Sequence, residues 1–489
     1  MKCWLMRNLA SLVILFVAHS ALAQQVVYKG FEVDSAAVPR GGMEYLTTFI
    51  QANLRKPIAA QAKGDGGRIS ISAIVEPDGR VTDVKNLNSF RPDCDREARR
   101  VFNLFNAWKP AYKDGKPVRQ EVNIPVFFKA NAPFSFRDGA VVAFFDANRR
   151  PVPDSSGAAY KQVTPVDTTG LPSGDVVVFK KSGKRWAEDY RNPFVRKSNS
   201  QVNSTGASRY LIGSQSAVRD LNGPVYTVDK TGKLLAESNY EEGKQVGTQI
   251  CYHNNGIVGE KREVLPEKSV ITSWYANGQI KQLKTVSPLK ALTPLDPEQV
   301  VALWDSTGRQ MIKEGNGRAT YLTRRESYRD TSRYTTFLEE GAYQNGFKQG
   351  VWTGRYGDGS YFYEETYDNG ICQGGKAITA GADTVRYTDL GKQPEFPGGI
   401  QGLGQFLSSN LQYPVTAQKA NISGRVFLTF VVCTDGTLCD YDVLKGVHPD
   451  LDEEAVRVVK SMSGKWIPGV QRGKKVRVKY NLPINFSLH

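Results

Sequence analysis

Apolar and polar residues alternate strictly in the last part of the chain. The apolar positions are Val476, Val478, Tyr480, Leu482, Ile484 and Phe486, and the polar positions between them are Arg477, Lys479, Asn481 and Asn485. A period of two predicts a β-strand with one buried face. Pro483 cannot donate a backbone hydrogen bond to a neighbour, so we expect an edge strand, or a bulge there. Such an edge either accepts an added strand or is blunted by its proline and cations against aggregation.

A helix and a hairpin are predicted before this strand. The apolar face of the helix consists of Leu451, Ala455, Val458, Val459 and Met462. Asp450 begins the helix, with Glu453 three residues later as in a capping box. Asp435-Gly436 predicts a tight hairpin turn, and an earlier helix at about 400–411 is expected to end before Tyr413-Pro414. The predicted order of elements is α-β-β-α-β.

The same series of residues occurs about 357 positions earlier in the chain. The matching pairs include Gly67-Arg68 with Gly424-Arg425, Asp78-Gly79 with Asp435-Gly436, Trp108-x-Pro110 with Trp466-x-Pro468, and Asn123-x-Pro125 with Asn481-x-Pro483. So many spaced matches in one order indicate a duplicated domain. Both ends of the chain are therefore predicted to carry one α-β-β-α-β domain.

The middle of the chain, residues 131–390, lacks a helical period and repeats a different pattern. An aromatic residue is followed shortly by glycine, as in Tyr343-Gln344-Asn345-Gly346 and Tyr367-Asp368-Asn369-Gly370. Asn-Gly pairs favour type I′ turns, so each repeat is predicted to be a β-hairpin that stacks on its neighbours. The expected fold class is α+β, with two small α-β-β-α-β domains flanking an antiparallel β-hairpin repeat array.

The first residues are typical of an export signal. Lys2 and Arg7 precede an apolar stretch from Leu9 to Ala18, and Ala21 and Ala23 have the spacing that signal peptidase recognises. We expect cleavage before Gln24 and export of the mature chain. The alternative is an uncleaved inner-membrane anchor, with the rest of the chain facing the periplasm.

The net charge of the chain restricts the choice of partner only when it is combined with the predicted export. The 64 Lys and Arg exceed the 49 Asp and Glu, for a net charge of +15. This balance suits nucleic acid, an anionic membrane surface or an acidic protein segment. Because an exported chain does not meet nucleic acid, we expect envelope partners. Basic residues concentrate near the predicted edge, at Arg472, Lys474, Lys475, Arg477 and Lys479.

The sequence contains few candidates for catalytic or metal-binding residues. Three histidines follow the predicted signal peptide, His253, His448 and His489, and their spacing does not suit a metal. Asp452, Glu453 and Glu454 form an acidic cluster, but the start of a helix favours carboxylates for electrostatic reasons alone. The motifs of serine hydrolases and P-loop proteins do not occur. The sequence therefore predicts no catalytic, cofactor-binding or metal-binding residues and no enzyme. Cys433 and Cys439 flank a turn, and either bridge it or remain two free thiols.

The C-terminal residues resemble those of the TonB C-terminal domain. The resemblance is carried by Phe396-Pro397-Gly398-Gly399, Asn410-Leu411-x-Tyr413-Pro414, Trp466-x-Pro468-Gly469 and Leu482-Pro483-Ile484-Asn485-Phe486, and covers about 396–488. The first copy, at about 40–129, is more divergent, with Lys56-Pro57 in the place of Tyr-Pro.

This resemblance implies a function. TonB-like domains lie in the Gram-negative periplasm, bind a short extended motif of outer-membrane receptors by strand addition, and pass on force from the inner-membrane proton gradient. The implied partner-binding residues are Tyr413, Pro414, Val476, Arg477, Val478, Lys479, Tyr480 and Asn481. In the first copy, only Pro57 and the strand Val118–Phe128 correspond to these implied partner-binding residues. A true transducer keeps an N-terminal membrane helix and usually has a long spacer, whereas this N-terminus looks cleavable and residues 24–40 are short.

The middle repeats resemble MORN-type repeats, which implies a scaffold or a contact surface. The predicted organisation is a signal peptide at 1–23, a linker at 24–39, a divergent TonB-like domain at 40–130, MORN-like repeats at 131–390 and a TonB C-terminal domain at 391–489. The first hypothesis is a periplasmic TonB-like protein that binds outer-membrane TonB-dependent receptors or other envelope proteins in transmembrane transport. The second is an envelope structural protein without energy transduction, whose hairpins bind glycan such as peptidoglycan, a lipid surface or protein.

Overall fold

A computed structural model describes residues 26–167, 170–199, 209–216, 220–287 and 298–488. The predicted signal peptide lies outside these residues. The chain forms two compact units. Unit 1 comprises Met1–Arg262, Ser273–Lys281 and Ser306–Gly308, and unit 2 comprises Glu263–Thr272, Gln282–Asp305 and Arg309–His489.

Unit 1 begins with the N-terminal module, residues 26–128. Its elements are β1 (Val27–Tyr28), a 3-10 turn (Gly30–Glu32), β2 (Val38–Pro39), α1 (Met43–Asn53), α2 (Ile58–Lys63), β3 (Gly67–Val75), β4 (Val81–Asn86), α3 (Pro92–Asn103), β5 (Trp108–Lys109), β6 (Ala111–Lys113) and β7 (Lys116–Phe128). One sheet has the order β1-β7-β3-β4, with β6 also paired to β7, and β2 pairs with β5. Helix α3 packs on β3 and β4, and α1 contacts α3, with Phe49 and Phe102 fully buried.

Unit 2 ends with the C-terminal module, residues 391–488. Its elements are β30 (Gly391–Lys392), α4 (Gly399–Asn410), α5 (Val415–Lys419), β31 (Gly424–Val432), β32 (Leu438–Lys445), α6 (Pro449–Lys460), β33 (Gly469–Gln471), β34 (Lys474–Val476) and β35 (Val478–Phe486). One sheet has the order β32-β31-β35, and a second has the order β30-β33-β34. The predicted helical face of α6 is buried, as are the inward residues of β31, so the core lies between this helix and the sheet.

Gly436 shows why the Asp-Gly turn and the Trp-x-Pro motif occur together. It has a φ of +84°, and a Cβ atom at this position would lie 2.3 Å from the carbonyl oxygen of Trp466. Gly79 stands in the same relation to Trp108, with a φ of +83° and the same 2.3 Å. Only glycine lets the hairpin turn approach that backbone so closely. The turn therefore positions the tryptophan whose ring fills the core of its module.

The residues between the modules are almost entirely strands. These are β8 (Ser135–Arg137), β9 (Ala140–Phe145), β10 (Pro151–Val152), β11 (Tyr160–Pro165), β12 (Val176–Ser182), β13 (Arg185–Asn192), β14 (Phe194–Asn199), β15 (Arg209–Gln215), β16 (Leu221–Asp229), β17 (Leu234–Glu241), β18 (Lys244–Tyr252), β19 (Val258–Val264), β20 (Ser269–Trp274), β21 (Ile280–Val286), β22 (Gln299–Trp304), β23 (Gln310–Lys313), β24 (Asn316–Glu326), β25 (Tyr334–Gln344), β26 (Phe347–Tyr356), β27 (Tyr361–Asp368), β28 (Ile371–Thr379) and β29 (Val385–Tyr387). Pairing follows the sequence order within each unit, from β14 to β18 in unit 1 and from β21 to β29 in unit 2.

The type I′ turn predicted for Asn-Gly pairs is right at two positions and wrong at two others. Asn345-Gly346 and Asn369-Gly370 each have two positive φ angles and join strands through two-residue loops, as type I′ turns require. At Asn255-Gly256 and Asn277-Gly278 only the glycine has a positive φ, and a longer loop closes the hairpin. The difference arises because the loop length, which the dipeptide alone does not reveal, selects the turn type.

The predicted α+β class is wrong. Strand accounts for 52% of the structure and helix for 14%, so the chain is mostly β with many antiparallel sheets. The end modules are also not simple α-β-β-α-β units. In each of them a second short helix, α2 or α5, begins directly after Pro57 or Pro414, because proline stops one helix and suits the start of the next. Short strands also precede the last strand of each module, and alternation over a few residues is too weak a signal to predict them.

Candidate partner-binding edges

The alternation predicted for the last strand is present in the structure. Along β35 the side chains of Leu482, Ile484 and Phe486 are buried, and the residues between them are exposed. Strand β35 pairs with β31 over its whole length, with Val432 opposite Val478 and Gly424 opposite Phe486. Among the described residues no strand pairs with its other side. Strand β35 is therefore an edge strand, as Pro483 suggested.

The inward side chains anchor this edge to the core. The ring of Tyr480 lies 4.9 Å from that of Trp466 and 5.7 Å from that of Phe430, measured between centroids. Val478 is half-buried in the same row. These side chains hold the strand in place, and only the backbone of β35 and its outward side chains face a partner.

The outward side chains at the start of β35 are basic and exposed. Arg477 lies between β34 and β35 and donates a hydrogen bond of 2.8 Å to Asp440. It also lies 3.2 Å from the Sγ of Cys439. Lys479 and Asn481 are exposed on the same face. Val476 belongs to β34 and is half-buried. The predicted residues from Val476 to Asn481 therefore form one continuous stretch.

Tyr413 and Pro414 lie elsewhere in the module. The hydroxyl of Tyr413 donates a 2.6 Å hydrogen bond to the carbonyl of Ile422, and its ring packs edge-on against Phe486, at 5.7 Å between centroids. Pro414 precedes α5 as its N-cap. Because Phe486 ends β35, nine residues after Arg477, and each residue advances a strand by about 3.3 Å, the contact of Tyr413 with Phe486 lies roughly 30 Å from Arg477. The predicted partner-binding set is thus split between the two ends of the strand.

Glu454 explains the acidic cluster in structural terms. Its carboxylate accepts hydrogen bonds from the backbone N–H of Gln412, at 2.6 Å, and from Arg457. Glu97 does the same for Arg55 and Arg100 in the N-terminal module. Burial acts to raise the pKa of Glu454, but the bonds from Arg457 and Gln412 prevail and hold it below its usual range. The carboxylate thus ties the segment after the first helix to the third helix.

Cys433 and Cys439 face each other across the turn between β31 and β32. Their Sγ atoms are 2.7 Å apart, and both cysteines are free in the structure. The hydrogen bond with Cys433 is the main cause that raises the pKa of Cys439. The pair lies beside Arg477, close to the start of the edge strand.

The N-terminal module differs in one respect that the sequence did not reveal. Its last strand, β7, is not an edge at its start, because β1 pairs with it in parallel, with Val27 opposite Arg119 and Tyr28 opposite Gln120. Residues 26–39, part of the predicted linker, lie along the module. The only sequence signal was the short apolar run before Lys29, which is too brief to identify a strand.

The described residues offer little for other chemistry. They contain no group of three or more metal-ligating side chains. None of their helices is long and apolar enough to cross a membrane. Unit 1 has a cavity of about 870 Å³ beside the segment Leu54–Gln61, and its walls include Tyr226, Glu237 and Tyr252.

Comparison with known proteins bears on both modules. Residues 53–130 and 409–488 match the family model of the Gram-negative bacterial TonB protein C-terminal. The chain carries two TonB C-terminal segments. These segments contain α3 and β7 of the first module and α6 and β35 of the second. The resemblance stated from the sequence is confirmed for both copies, whereas the MORN-type resemblance of the middle stays a prediction.

Two solved structures are similar to one part of the chain. Both are NMR solution structures of the Helicobacter pylori TonB C-terminal domain, in a longer and a shorter form, at 27% and 28% identity. The alignments cover 18% of this chain and 80% and 91% of those chains, with TM-scores of 0.16 and 0.15. A search of curated proteins gives no significant match.

Proposed function

We propose that this is a periplasmic TonB-like protein whose C-terminal module binds segments of outer-membrane receptors or transporters by strand addition, in TonB-dependent transmembrane transport. One observation carries the proposal. In the segment that matches the TonB C-terminal family, strand β35 has a vacant side among the described residues. Backbone N–H and C=O groups along such an edge are suited to an extended peptide, which gains main-chain hydrogen bonds there.

The first half of β35 is the best place for the added strand. Pro483 removes a backbone donor, so an uninterrupted ladder fits residues 478–482 better than the end of the strand. Tyr480 packs against the core of the module, which keeps this part of the edge in place. A rigid edge loses little conformational entropy when a partner binds.

Amide hydrogen exchange on the full chain tests this proposal. Extended peptides from the periplasmic ends of outer-membrane receptors should slow the exchange of amides in residues 478–482. The same peptides with a central proline, which removes a donor, serve as the matched control. If millimolar receptor peptide leaves these amides unchanged, strand addition at β35 is wrong.

Energy transduction additionally requires a retained membrane anchor. N-terminal sequencing of the protein from cells decides this point directly. A start at Gln24 would limit the protein to binding, and an intact Met1 would allow it to transmit force.

A second candidate function is suggested by the cavity in unit 1. Its walls include the rings of Tyr226 and Tyr252, and the guanidinium of Arg55 lies 5.4 Å from the centre of the Tyr252 ring. Aromatic faces beside a cation suit an envelope glycan or a protein segment. Co-sedimentation with purified peptidoglycan, compared between the natural chain and Tyr252→Ala, tests this envelope-binding function. Equal sedimentation of both proteins would argue against a role of the cavity.

A further inference from the structure

The N-terminal module already contains an added strand. Strand β1 lies parallel to β7, and the hydrogen bond from the backbone N–H of Ala37 to the side chain of Gln120, at 2.6 Å, holds the following residues. Lys29, directly after β1, forms an ion pair with Glu121. The ammonium group of Lys113 lies 4.4 Å from the centre of the Tyr28 ring. The chain thus supplies an apolar-aromatic-basic segment to its own edge.

The C-terminal module has the same strand in a matching register. Glu121 lies opposite Ile74 in the first module, and Lys479 lies opposite Val431 in the second. The shared Asn-x-Pro motif, which begins at Asn123 and at Asn481, confirms this correspondence two residues further on. Arg477, Val478 and Lys479 therefore occupy the positions of Arg119, Gln120 and Glu121.

Among the described residues, the chain does not pair with the second edge as it pairs with the start of the first. The residues that correspond to β1 in the second copy lie within or beside Val385–Tyr387, which is strand β29. This strand pairs with β28, with Ala377 opposite Val385 and Gly375 opposite Tyr387. Because β29 belongs to that sheet and does not pair with β35, the side of β35 away from β31 carries no strand among the described residues and is open to a segment from another molecule.

The position of Glu121 in the first module and Lys479 in the second carries opposite charges. The N-terminal edge has Glu121, which pairs with a lysine of the added strand. The C-terminal edge has Lys479 at this position, exposed and with no carboxylate paired to it among the described residues. Arg477, two residues earlier, is already paired with Asp440. Lys479 would repel a segment like the one that β7 accepts, because like charges at adjacent positions are unfavourable.

We propose that the edge of β35 takes a parallel extended segment of a partner protein whose side chain beside Lys479 is acidic, and that the edge of β7 is reserved for the chain's own basic segment. This inference rests on the proposed function and specifies its partner. In the register of β1, an apolar residue lies beside Arg477, the next residue beside Val478 and the acidic residue beside Lys479. Charge complementarity then distinguishes the partner from the chain's own N-terminal segment.

A matched pair of peptides tests the inference on the full chain. One has the sequence of residues 24–31, QQVVYKGF, and the other differs only by Lys29→Glu. Fluorescence anisotropy gives their affinities, and amide exchange in residues 478–482 shows where they bind. The acidic peptide should bind more tightly than the basic one, by on the order of fivefold to tenfold in low salt, since one attraction replaces one repulsion.

Charge reversal in the protein provides the decisive comparison. Lys479→Glu should invert the preference and make the basic peptide the better ligand. Lys475→Glu, an equal change at an exposed position of β34, should leave the ratio nearly unchanged. Both lysines are exposed, so neither change is expected to affect folding.

The outcomes separate this inference from the proposed function. Equal affinity of the two peptides, or an unchanged preference in Lys479→Glu, overturns the charge rule even if receptor peptides bind at β35. If neither peptide binds, the inference that a segment pairs with β35 in the register that β1 has on β7 is wrong. The proposed function fails only if receptor peptides also leave residues 478–482 unaffected.

Discussion

Glu454 shows at the residue scale how a motif that looks like an acidic site stabilises the fold. The side chain is 9% exposed and is the acceptor for both Arg457 and the Gln412 amide. Both carboxylate oxygens accept bonds from within the module, and the same arrangement recurs at Glu97. Glu454 and Glu97 therefore have the same structural role in the two copies.

Substituting Glu454 should lower stability in a pH-dependent way. Because the pKa of Glu454 is lowered in the folded chain, its contribution is present above the unfolded pKa of about 4.3 and is lost as the pH falls through the folded value. Glu454→Gln should cost about 1–3 kcal/mol at pH 7 and progressively less below pH 4. Thermal unfolding at the two pH values, with exchange of the Gln412 amide as a local probe, measures this. Glu453→Gln, which changes an exposed neighbour, is the control, and an equal effect of both would contradict the argument.

Arg472 and Glu365 form a buried ion pair within unit 2. The Glu365 side chain is fully buried, and its oxygens accept bonds from Arg472 at 2.6 Å and from the hydroxyls of Tyr367 and Tyr387, both at 2.9 Å. Burial and the negative charge of Glu365 raise the pKa of Tyr387. The pair fixes the hairpin between β33 and β34, which leads directly into the edge strand.

Removing one member of this pair should be costly. Arg472→Met leaves a buried carboxylate without its cation and should destabilise unit 2 by about 3 kcal/mol or more. Arg477→Met removes the exposed pair with Asp440, whose side chains are 58% and 66% exposed, and should cost less than about 1 kcal/mol. Comparing the two variants by thermal unfolding checks the prediction. Similar losses for both would show that Arg472 is not the buried anchor that its contacts indicate.

At the element scale, strand β1 covers the start of the β7 edge with few contacts. The pairing of β1 with β7 covers only two residues, so the segment depends on the bonds around Ala37 and Tyr112 as well. A short strand held by few contacts opens more readily than the sheet beneath it. The N-terminal edge is therefore closed by an element that can be weakened without breaking the module.

Val27→Pro should open that edge. Proline removes a backbone donor of β1, so exchange of the outward amides of residues 119–121 should accelerate by about tenfold or more. Amides of β35 should not change. Phe31→Ala is the control, because that ring is 87% exposed and its loss should leave β1 in place. Unchanged exchange in Val27→Pro would mean that β1 does not protect β7.

At the scale of the whole molecule, two related segments have different roles. Both match the TonB C-terminal family, yet the chain pairs with the start of one edge, at Arg119 and Gln120, and leaves the other edge vacant among the described residues. Duplication thus does not imply two equivalent partner sites. The protein is expected to act as a monovalent binder.

Binding stoichiometry tests this expectation. Calorimetric titration of the full chain with the acidic peptide should give one site per chain. Deleting residues 24–33 should expose a second site that prefers the basic peptide, since Glu121 is then without its lysine. Two sites in the intact chain would contradict the closed state of the first edge.

The sequence alone determined the local elements, the duplication of one domain and the family that this domain resembles. Strict alternation in the last strand, the apolar face of α6 and the Asp-Gly turns depend on near neighbours in the chain, so they can be identified without a structure. The spaced residues of the C-terminal copy were sufficient to identify the TonB C-terminal resemblance. The α+β class failed because the many strands between the two modules outweigh the few helices of the modules themselves.

Only the tertiary structure decided which of the two edges is open. Strand β1 pairs with residues about ninety positions away, and its counterpart near Val385 pairs with β28 instead. Local propensity does not encode such a choice, because a strand of two or three residues is stabilised by whichever neighbour its backbone groups reach. The sequence therefore specified two related modules. Long-range pairing filled one edge and left the other, with Lys479, for a partner.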